Sequence, residues 1–197
     1  MTSTQAPQEE SGTTTHETVV LDACCLINLA AASALDPWLG DLGLRWMLPR
    51  AVRAEALSLR GTDAEVAAPD ALRRRPLLLD QAIDSCLLTV VQPENDAELT
   101  AYVDLVAELD DGEAMTLAIA LRRGWQLATD DRKAIRLAGE SGVPVLTTPM
   151  VLKRWADQLS PSSDELRAAL IAIRDRARFL PSGRDPLCDW WMERMRG

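Results

Sequence analysis

The sequence has a single histidine, His16, and no cysteine pair with the C-x-x-C spacing of zinc and dithiol sites. Cys24 and Cys25 are adjacent, whereas Cys86 and Cys188 are isolated. Because His16 falls in a polar N-terminal stretch, zinc-protease chemistry and histidine-centred hydrolysis are poorly supported. We interpret Cys24 and Cys25 as small buried residues, which fits a reducing, cytoplasmic environment.

Long apolar runs are also missing. No stretch approaches the roughly 18 consecutive apolar residues that would span a bilayer. Residues 1–17 are polar and lack the basic start and apolar centre of a secretory signal. We therefore predict that residues 1–17 form a flexible tail and that the protein has no membrane segment.

Basic residues are fewer than acidic residues, with 21 lysines and arginines against 30 aspartates and glutamates. The formal net charge is −9, and no lysine or arginine occurs between Glu94 and Glu113. This balance disfavours a protein whose whole surface binds nucleic acid. Local basic patches, such as residues 73–75, could still hold a phosphate backbone, although a solvated helix face is the alternative for each. The candidate RNA contacts are Arg122, Arg123, Arg132 and Arg136.

Apolar, β-branched runs alternate with helical patterns along the chain. The first run, residues 18–21, is continuously apolar after Thr18, which indicates a strand buried on both faces of a parallel sheet. Asp36 and Pro37 are predicted to end the helix that follows. Further strands are predicted over 87–91, 125–129 and 143–147, with helices from about Pro49, over 95–109, over 114–124 and around Ile135. This alternation predicts an α/β sandwich around a mostly parallel sheet.

The length of 197 residues suits one domain with some decoration. We predict a domain over residues 18–159, followed by a helical extension over 160–197. Trp190 and Trp191 lie near the end of this extension. They could stack RNA bases, but the interpretation we favour is that they bury apolar area against the domain or a partner.

Acidic residues are placed to meet at one edge of the predicted sheet. Ligands in open α/β sheets bind beyond the carboxyl ends of the strands. Asp22 closes the first strand, and Asp130 and Asp131 close the strand predicted over 125–129. Glu113 opens the helix before that strand, and Glu55 lies on a helix expected to pack near the first strand. We therefore expect these acids to converge.

Such a cluster is unfavourable by itself, because neighbouring like charges and burial raise the pKa of each carboxyl. A hard divalent cation removes the conflict by accepting the carboxylate oxygens as ligands. Mg²⁺ or Mn²⁺ could then orient water, help to deprotonate it and stabilise charge on a phosphodiester. The candidate metal ligands are Asp22, Glu113, Asp130 and Asp131.

The acids also have structural alternatives. Glu55 could lie on a helix surface, and Glu113 could favour the positive N-terminus of its helix. One of Asp130 and Asp131 could serve only as the cap of the next helix. The acids that we interpret as caps rather than ligands are Asp110 and Asp111.

At these residues the chain resembles the PIN-domain family, in particular the VapC-like toxins of bacterial type II toxin–antitoxin systems. The ordered set of matching segments covers about residues 18–155 and is more specific than any one of them. The matching segments are Val20–Ala23, Val52–Glu55, Asp111–Ala114, Thr129–Arg132 and Gly142–Thr147.

The resemblance implies a three-layer α/β/α fold, divalent-metal binding and hydrolysis of RNA phosphodiester bonds. Asp131 matches the Thr-x-Asp pattern of the family, which leaves Asp130 as its neighbour. Glu113 stands where Asp is commoner, and its extra methylene moves the carboxylate. The catalytic set that the resemblance implies is Asp22, Glu55, Glu113 and Asp131. The supporting positions are Asn28, which could equally help to pack its helix, and Thr129.

We predict on this basis a metal-dependent endoribonuclease, the toxin of a type II toxin–antitoxin system. Its expected partners are RNA, an antitoxin protein and a second copy of the chain in a dimer. One alternative is a non-catalytic PIN-like scaffold that acts through protein contacts. Another is a haloacid-dehalogenase-like phosphatase, but that chemistry usually needs Asp-x-Asp after the first strand, and Asp22 is followed by Ala23 and Cys24.

Overall fold

A five-stranded sheet forms the centre of the structure, a computed structural model that describes residues 17–32, 36–53 and 79–196. Its strands lie side by side in the order β3-β2-β1-β4-β5, and every neighbouring pair is parallel. The strands are β1 Glu17–Leu21, β2 Leu44–Pro49, β3 Leu88–Val91, β4 Gln126–Ala128 and β5 Val145–Leu146. The predicted parallel α/β fold is confirmed.

Helices cover both faces of this sheet. They are α1 Ala23–Ala32, α2 Asp36–Asp41, α3 Asp96–Leu105, α4 Asp111–Arg123, α5 Arg132–Glu140, α6 Thr148–Leu159, α7 Ser163–Ala172 and α8 Cys188–Arg196. A π-helical turn, Ile173–Ala177, continues α7. Residues 50–53 and 79–84 are also helical. Within the described ranges, no helix has the length and apolarity needed to cross a membrane.

Alternating side chains of β1 enter two separate cores. Val19 and Leu21 pack with residues of α1, α6, α7 and α8, whereas Val20 packs with residues of α4 and α5. Successive strand residues point to opposite faces, so each face of β1 is covered by its own helical layer. This arrangement explains the unbroken apolar run of the first strand and confirms the three-layer α/β/α architecture.

The strand β2 was not predicted from the sequence. A helix break was expected at Asp36 and Pro37, where α2 begins instead. The helix expected from about Pro49 agrees with the helical residues 50–53. The β2 run contains an exposed Arg45 and ends at Pro49, so it lacks a clear strand pattern. Burial between β1 and β3 gives this segment its strand conformation, because tertiary packing outweighs a weak local preference.

Both ends of the described chain are tied to the core. β1 begins at Glu17, which was predicted to end the tail, and Arg154 Nη1 of α6 donates a hydrogen bond to Glu17 Oε2 at 2.8 Å. Residues 1–16 lie outside the described residues. At the other end, Trp191 is fully buried in the same core as Val19, and Trp190 lies 5.9 Å from Lys153 Nζ. The packing role of Trp191 matches the favoured interpretation.

Candidate metal centre

Asp22 lies where β1 ends and α1 begins. Its backbone N–H donates to Ala128 O of β4 at 3.0 Å, which fixes the turn against the neighbouring strand. Its carboxylate accepts hydrogen bonds from Ala23 N at 2.7 Å, Cys24 Sγ at 3.0 Å and Thr129 Oγ1 at 2.9 Å. Burial raises the pKa of Asp22, and these hydrogen bonds partly oppose the rise. Asp22 is therefore an oriented carboxylate whose charge is costly in isolation.

Thr129 connects Asp22 to the acid that follows β4. The Thr129 hydroxyl is fully buried, and its oxygen accepts the N–H of Asp131 at 3.1 Å while it donates to Asp22 Oδ2. Because a hydroxyl has one proton, this arrangement directs that proton toward Asp22. Thr129 therefore orients Asp22, and its supporting role in the site stays a prediction.

Glu113 and Asp110 add two carboxylates at the start of α4. Asp110 caps the helix by accepting the N–H of Glu113 at 2.9 Å. The pKa of Glu113 is raised to about 7, first by burial and then by the negative charges of Asp110, Asp131 and Asp22. These interactions define an acid cluster made of Asp22, Asp110, Glu113 and Asp131.

Asp110 is the residue of this cluster that the sequence analysis set aside. It is indeed a helix cap, but its charge also raises the pKa of both Asp22 and Glu113. A cap three residues before a candidate ligand lies at the same helix end, and that spacing could have signalled its second role. Asp111 is exposed and accepts the Tyr102 hydroxyl at 3.1 Å.

Asp131 is both a helix cap and a member of the acid cluster. Its Oδ1 accepts the backbone N–H groups of Lys133 at 2.7 Å and Ala134 at 2.8 Å, which caps α5. Within the described part of the chain, no hydrogen bond uses its Oδ2. One oxygen therefore fixes the side chain and the other is available to a cation.

The Asp130 carboxylate is engaged by residues of α1 and of the start of α6. It accepts hydrogen bonds from Asn28 Nδ2 at 2.9 Å, Cys25 Sγ at 3.3 Å, Thr148 N at 2.9 Å and the Thr148 hydroxyl. Burial raises the pKa of Asp130, although these four donors oppose the rise. Asp130 thus ties α1 to the start of α6. The geometry favours Asp131 over Asp130 as a metal ligand.

Asn28 and Thr148 complete this tie. Asn28 is buried in α1 and also donates to Thr148 Oγ1 at 3.2 Å. Asn28 was predicted from the sequence as a supporting residue, but Thr148 was not. Thr148 follows the N-cap of α6 and contacts Asp130 only in the folded chain. Both residues act on Asp130 and not directly on the acid cluster.

The adjacent cysteines lie between the two carboxylates. Cys24 Sγ donates to Asp22 and accepts the N–H of Asp130 at 3.2 Å, while Cys25 donates to Asp130. Burial raises the pKa of the Cys25 thiol well above its ordinary value, which keeps it protonated. The ligand atoms of Cys24, Cys25 and Asp130 lie within 4.8 Å of one another. Thiols are nevertheless soft ligands and do not suit Mg²⁺.

The donor set of the acid cluster does fit a hard divalent cation. All its side-chain donors are carboxylate oxygens, and burial, followed by the charges of Asp110, Asp131 and Asp22, raises the pKa of Glu113 to about 7. Among the described residues, no three ligand atoms of the acid cluster lie within 4.8 Å of one another, as the ligand atoms of Cys24, Cys25 and Asp130 do. Mutual repulsion favours such spacing, and Mg²⁺ commonly retains several waters between itself and a protein. Glu55, the remaining candidate acid, lies outside the described residues.

The candidate RNA contacts are dispersed. Arg123 makes a bidentate ion pair with buried Glu98 at 2.8 and 2.9 Å and lies in the last turn of α4. That turn is about 15 Å along the helix from Glu113, and it also carries Arg122. Arg136 pairs with two carboxylates, those of Glu108 at 2.7 Å and Glu140 at 2.8 Å. This geometry does not favour phosphate contacts by Arg122, Arg123 or Arg136.

Arg132 differs from Arg123 and Arg136 in its lack of an ion pair, and from Arg122 in its position beside the acid cluster. It is exposed at the first position of α5, directly after Asp131 of the acid cluster. In the described ranges it has no ion pair. Arg132 is therefore the candidate basic residue best placed to meet a phosphate at the site. The patch at residues 73–75 is outside the described ranges.

Known proteins resemble the chain in sequence and in fold. Residues 18–183 match a family described as DUF3368, PIN domain. This match runs past the predicted boundary at 159 and includes α7 and its π-helical turn. The fold is similar to that of PAE2754 from Pyrobaculum aerophilum, with a TM-score of 0.53, 20% identity, and coverage of 77% of this chain and 100% of that chain. Comparison with curated proteins gives no match.

Proposed function

The chain belongs to the PIN-domain family, and from that premise we propose that it is a Mg²⁺- or Mn²⁺-dependent endoribonuclease. The observation that carries this proposal is the acid cluster, in which burial and then the charges of Asp110, Asp131 and Asp22 raise the pKa of Glu113 to about 7. Carboxylates held in that way at the carboxyl edge of a parallel sheet are a suitable site for a hard cation.

Asp22, Glu113 and Asp131 would hold the cation, with Asp110 adding negative charge beside them. When bound, the metal would acidify and orient water and offset charge on the phosphodiester. The chain's own contribution is orientation. Thr129 and Ala23 fix the Asp22 oxygens. The N-termini of α5 and α4 fix the Asp131 and Asp110 carboxylates through the capping hydrogen bonds.

In the metal-free protein, Glu113 relieves part of the repulsion by taking up a proton. A carboxyl with a pKa of about 7 exchanges its proton at neutral pH. Metal binding and protonation therefore compete at Glu113, because both neutralise the same negative charge.

We further propose that the protein is the toxin of a type II toxin–antitoxin system and that an antitoxin restrains it. The support is the ordered family resemblance over Val20–Ala23, Asp111–Ala114 and Thr129–Arg132. Expression without a partner should arrest growth, and Asp22→Asn should abolish the arrest. Equal growth arrest by the wild type and Asp22→Asn would contradict toxicity through RNA cleavage. A dimer is the assembly that we expect, and light scattering of the purified protein tests it.

The central experiment is cleavage of a broad cellular RNA pool by purified, inhibitor-free protein with Mn²⁺, Mg²⁺ or EDTA. We expect metal-dependent cleavage by the wild type, and loss of both Mn²⁺ binding and cleavage in Asp22→Asn. Mn²⁺ binding without cleavage of any RNA would favour a non-catalytic scaffold. Hydrolysis of small phosphoesters without RNA cleavage would favour a phosphatase.

A further inference from the structure

A recess of about 420 Å³ adjoins the acid cluster. Its walls are the start of α5, the residue before α6 and the segment 179–186 that leads to α8. Asp130 and Arg132 both line it, and they are the residues on either side of Asp131 of the acid cluster. A substrate bound at the acid cluster could therefore continue into this recess.

Two arginines on opposite sides of the recess carry unpaired positive charge. Arg132 comes from α5 and Arg184 from the C-terminal segment, and both are exposed. In the part of the chain that the structure describes, neither forms an ion pair, a property that they share with other exposed arginines such as Arg122. What distinguishes them is that both line the recess. Arg132 and Arg184 are therefore available for a ligand.

The acids that line the same recess are already engaged. Asp130 accepts four hydrogen bonds, from Asn28, Cys25 and two groups of Thr148. Asp185 accepts the N–H of Leu187 at 2.8 Å and so fixes the turn before α8. Both carboxylates are held by hydrogen bonds and are half-buried, whereas both arginines are exposed. The arginines are therefore the charged groups of the recess that are free to move toward a ligand.

Other features of the walls suit a nucleotide. Arg132 begins α5 and Thr147 is the N-cap of α6, so two helix N-termini border the recess and add partial positive charge. The remaining wall is apolar and includes Ile135, Phe179 and Leu180, which is 47% exposed. An exposed apolar surface beside unpaired cations matches a ligand with a flat base and an anionic backbone.

We propose that this recess binds the nucleotide next to the scissile phosphodiester of a single-stranded RNA substrate. Arg132 and Arg184 contact its phosphate, and Leu180 packs against its base. The proposal rests on the ribonuclease activity proposed above. It also gives the segment 179–186, where the match to the PIN domain ends at residue 183, a role in substrate binding that the acid cluster alone does not require.

The test compares Arg184→Ala with Arg122→Ala in the full-length protein. Arg122 is a matched control because it is also exposed and cationic but lies in the last turn of α4, away from the recess. Fluorescence anisotropy with a labelled mixed-sequence 12-nucleotide RNA gives Kd, and cleavage of the same RNA gives kcat and KM. For Arg184→Ala we expect Kd and KM to rise about tenfold with kcat retained, and the salt slope of log Kd to fall by about one.

Arg184→Lys should recover part of the affinity, because it restores the charge but not the planar fork. Circular dichroism checks that each variant is folded. If the wild type cleaves RNA and Arg184→Ala has the same Kd and salt slope as Arg122→Ala, the subsite is wrong while the ribonuclease proposal stands. If the wild type neither binds nor cleaves RNA, both proposals are wrong.

Discussion

Charged residues at the two ends of α4 lie in opposite environments. At its N-terminus, Glu113 is surrounded by other acids, and burial together with their charges raises its pKa to about 7. At its C-terminus, Arg123 holds Glu98 in a bidentate ion pair, and this hydrogen bonding lowers the pKa of Glu98. Arg123 also lies 4.9 Å from the Trp125 ring centroid and donates to Gln92 O at 2.8 Å.

The comparison shows how to separate structural from functional charge in one helix. At the C-terminal end of α4 the charges are balanced. Glu98 is almost fully buried, and Arg123 neutralises its carboxylate. The N-terminal charges are incomplete without a cation, because the acid cluster has no basic partner among the described residues. Uncompensated charge is the feature that points to a ligand.

The largest effect should follow from Glu113→Gln, which nearly preserves shape and removes one negative charge. We expect the rate of RNA cleavage to fall about a thousandfold because a charge that helps to hold the cation is lost. Asp111→Asn is the matched control. It makes the same chemical change at the same helix start, but at an exposed acid that pairs with Tyr102.

Single-turnover cleavage at saturating Mn²⁺ measures both variants. Asp111→Asn should stay within about twofold of the wild type, since exposed substitutions change little. A folded Glu113→Gln variant that cleaves at the wild-type rate would remove Glu113 from the site. Partial recovery at excess Mn²⁺ would support metal ligation by Glu113.

The next effect tests the other end of α4. Arg123→Ala should lower the free energy of unfolding by about 3 kcal/mol, because it leaves the buried Glu98 carboxylate without its partner. Cleavage per folded molecule should not change, since Arg123 is remote from the acid cluster. Urea denaturation and active-site-normalised cleavage measure the two quantities.

Glu98→Gln gives this stability effect a pH signature. The folded-state pKa of Glu98 is lowered from 4.5, so the pair stabilises the fold fully above that value and loses its contribution as the pH falls below it. The stability gap between the wild type and Glu98→Gln should therefore be largest near neutral pH. A gap that does not narrow in acid would contradict the ion-pair account.

The smallest expected effect is on the pH dependence of stability at Glu113, which should have the opposite sign to that at Glu98. In EDTA, the folded-state pKa of Glu113 is about 7 against an ordinary value of 4.5, so the ionised carboxylate destabilises the fold. The wild type should lose stability relative to Glu113→Gln as the pH rises from 4.5 through about 7. We expect a difference of about 1 kcal/mol at pH 8, because solvent screens this half-buried group.

Thermal unfolding of both proteins across this pH range measures the difference. Saturating Mn²⁺ should reverse its sign, since the cation binds the wild-type cluster more tightly and stabilises the folded state. If Glu113→Gln were never more stable than the wild type in EDTA, the acid cluster would not be electrostatically strained. The contrast between the two ends of α4 would then fail.

Much of the fold was readable from local patterns. The apolar run before Asp22 predicted a strand buried on both faces, and β1 is covered by helices on each side. The periodic segment that became α4 was also predicted, together with its cap among Asp110 and Asp111 and its end at Gly124. These features depend on residues close in sequence, so a sequence pattern suffices to find them.

The missed strand shows the limit of that method. Leu44–Pro49 contains an arginine and ends in proline, and it becomes a strand because β1 and β3 pair with it on either side. The site had the same limit. Asp130 and Asp131 are adjacent and chemically identical, so their sequence alone could not show which oxygen is engaged by Thr148 and which is available to a cation.

The sequence by itself determined the parallel α/β class, the family resemblance and the set of acids from which the site is built. The tertiary structure decided which acids share one charge environment: Asp110 joined the cluster, Asp130 turned to Asn28 and Thr148, and Arg123 was committed to Glu98. The physical reason is distance. Backbone preference and apolar periodicity act over a few residues, whereas electrostatic repulsion and hydrogen bonding depend on separations in space that folding alone sets.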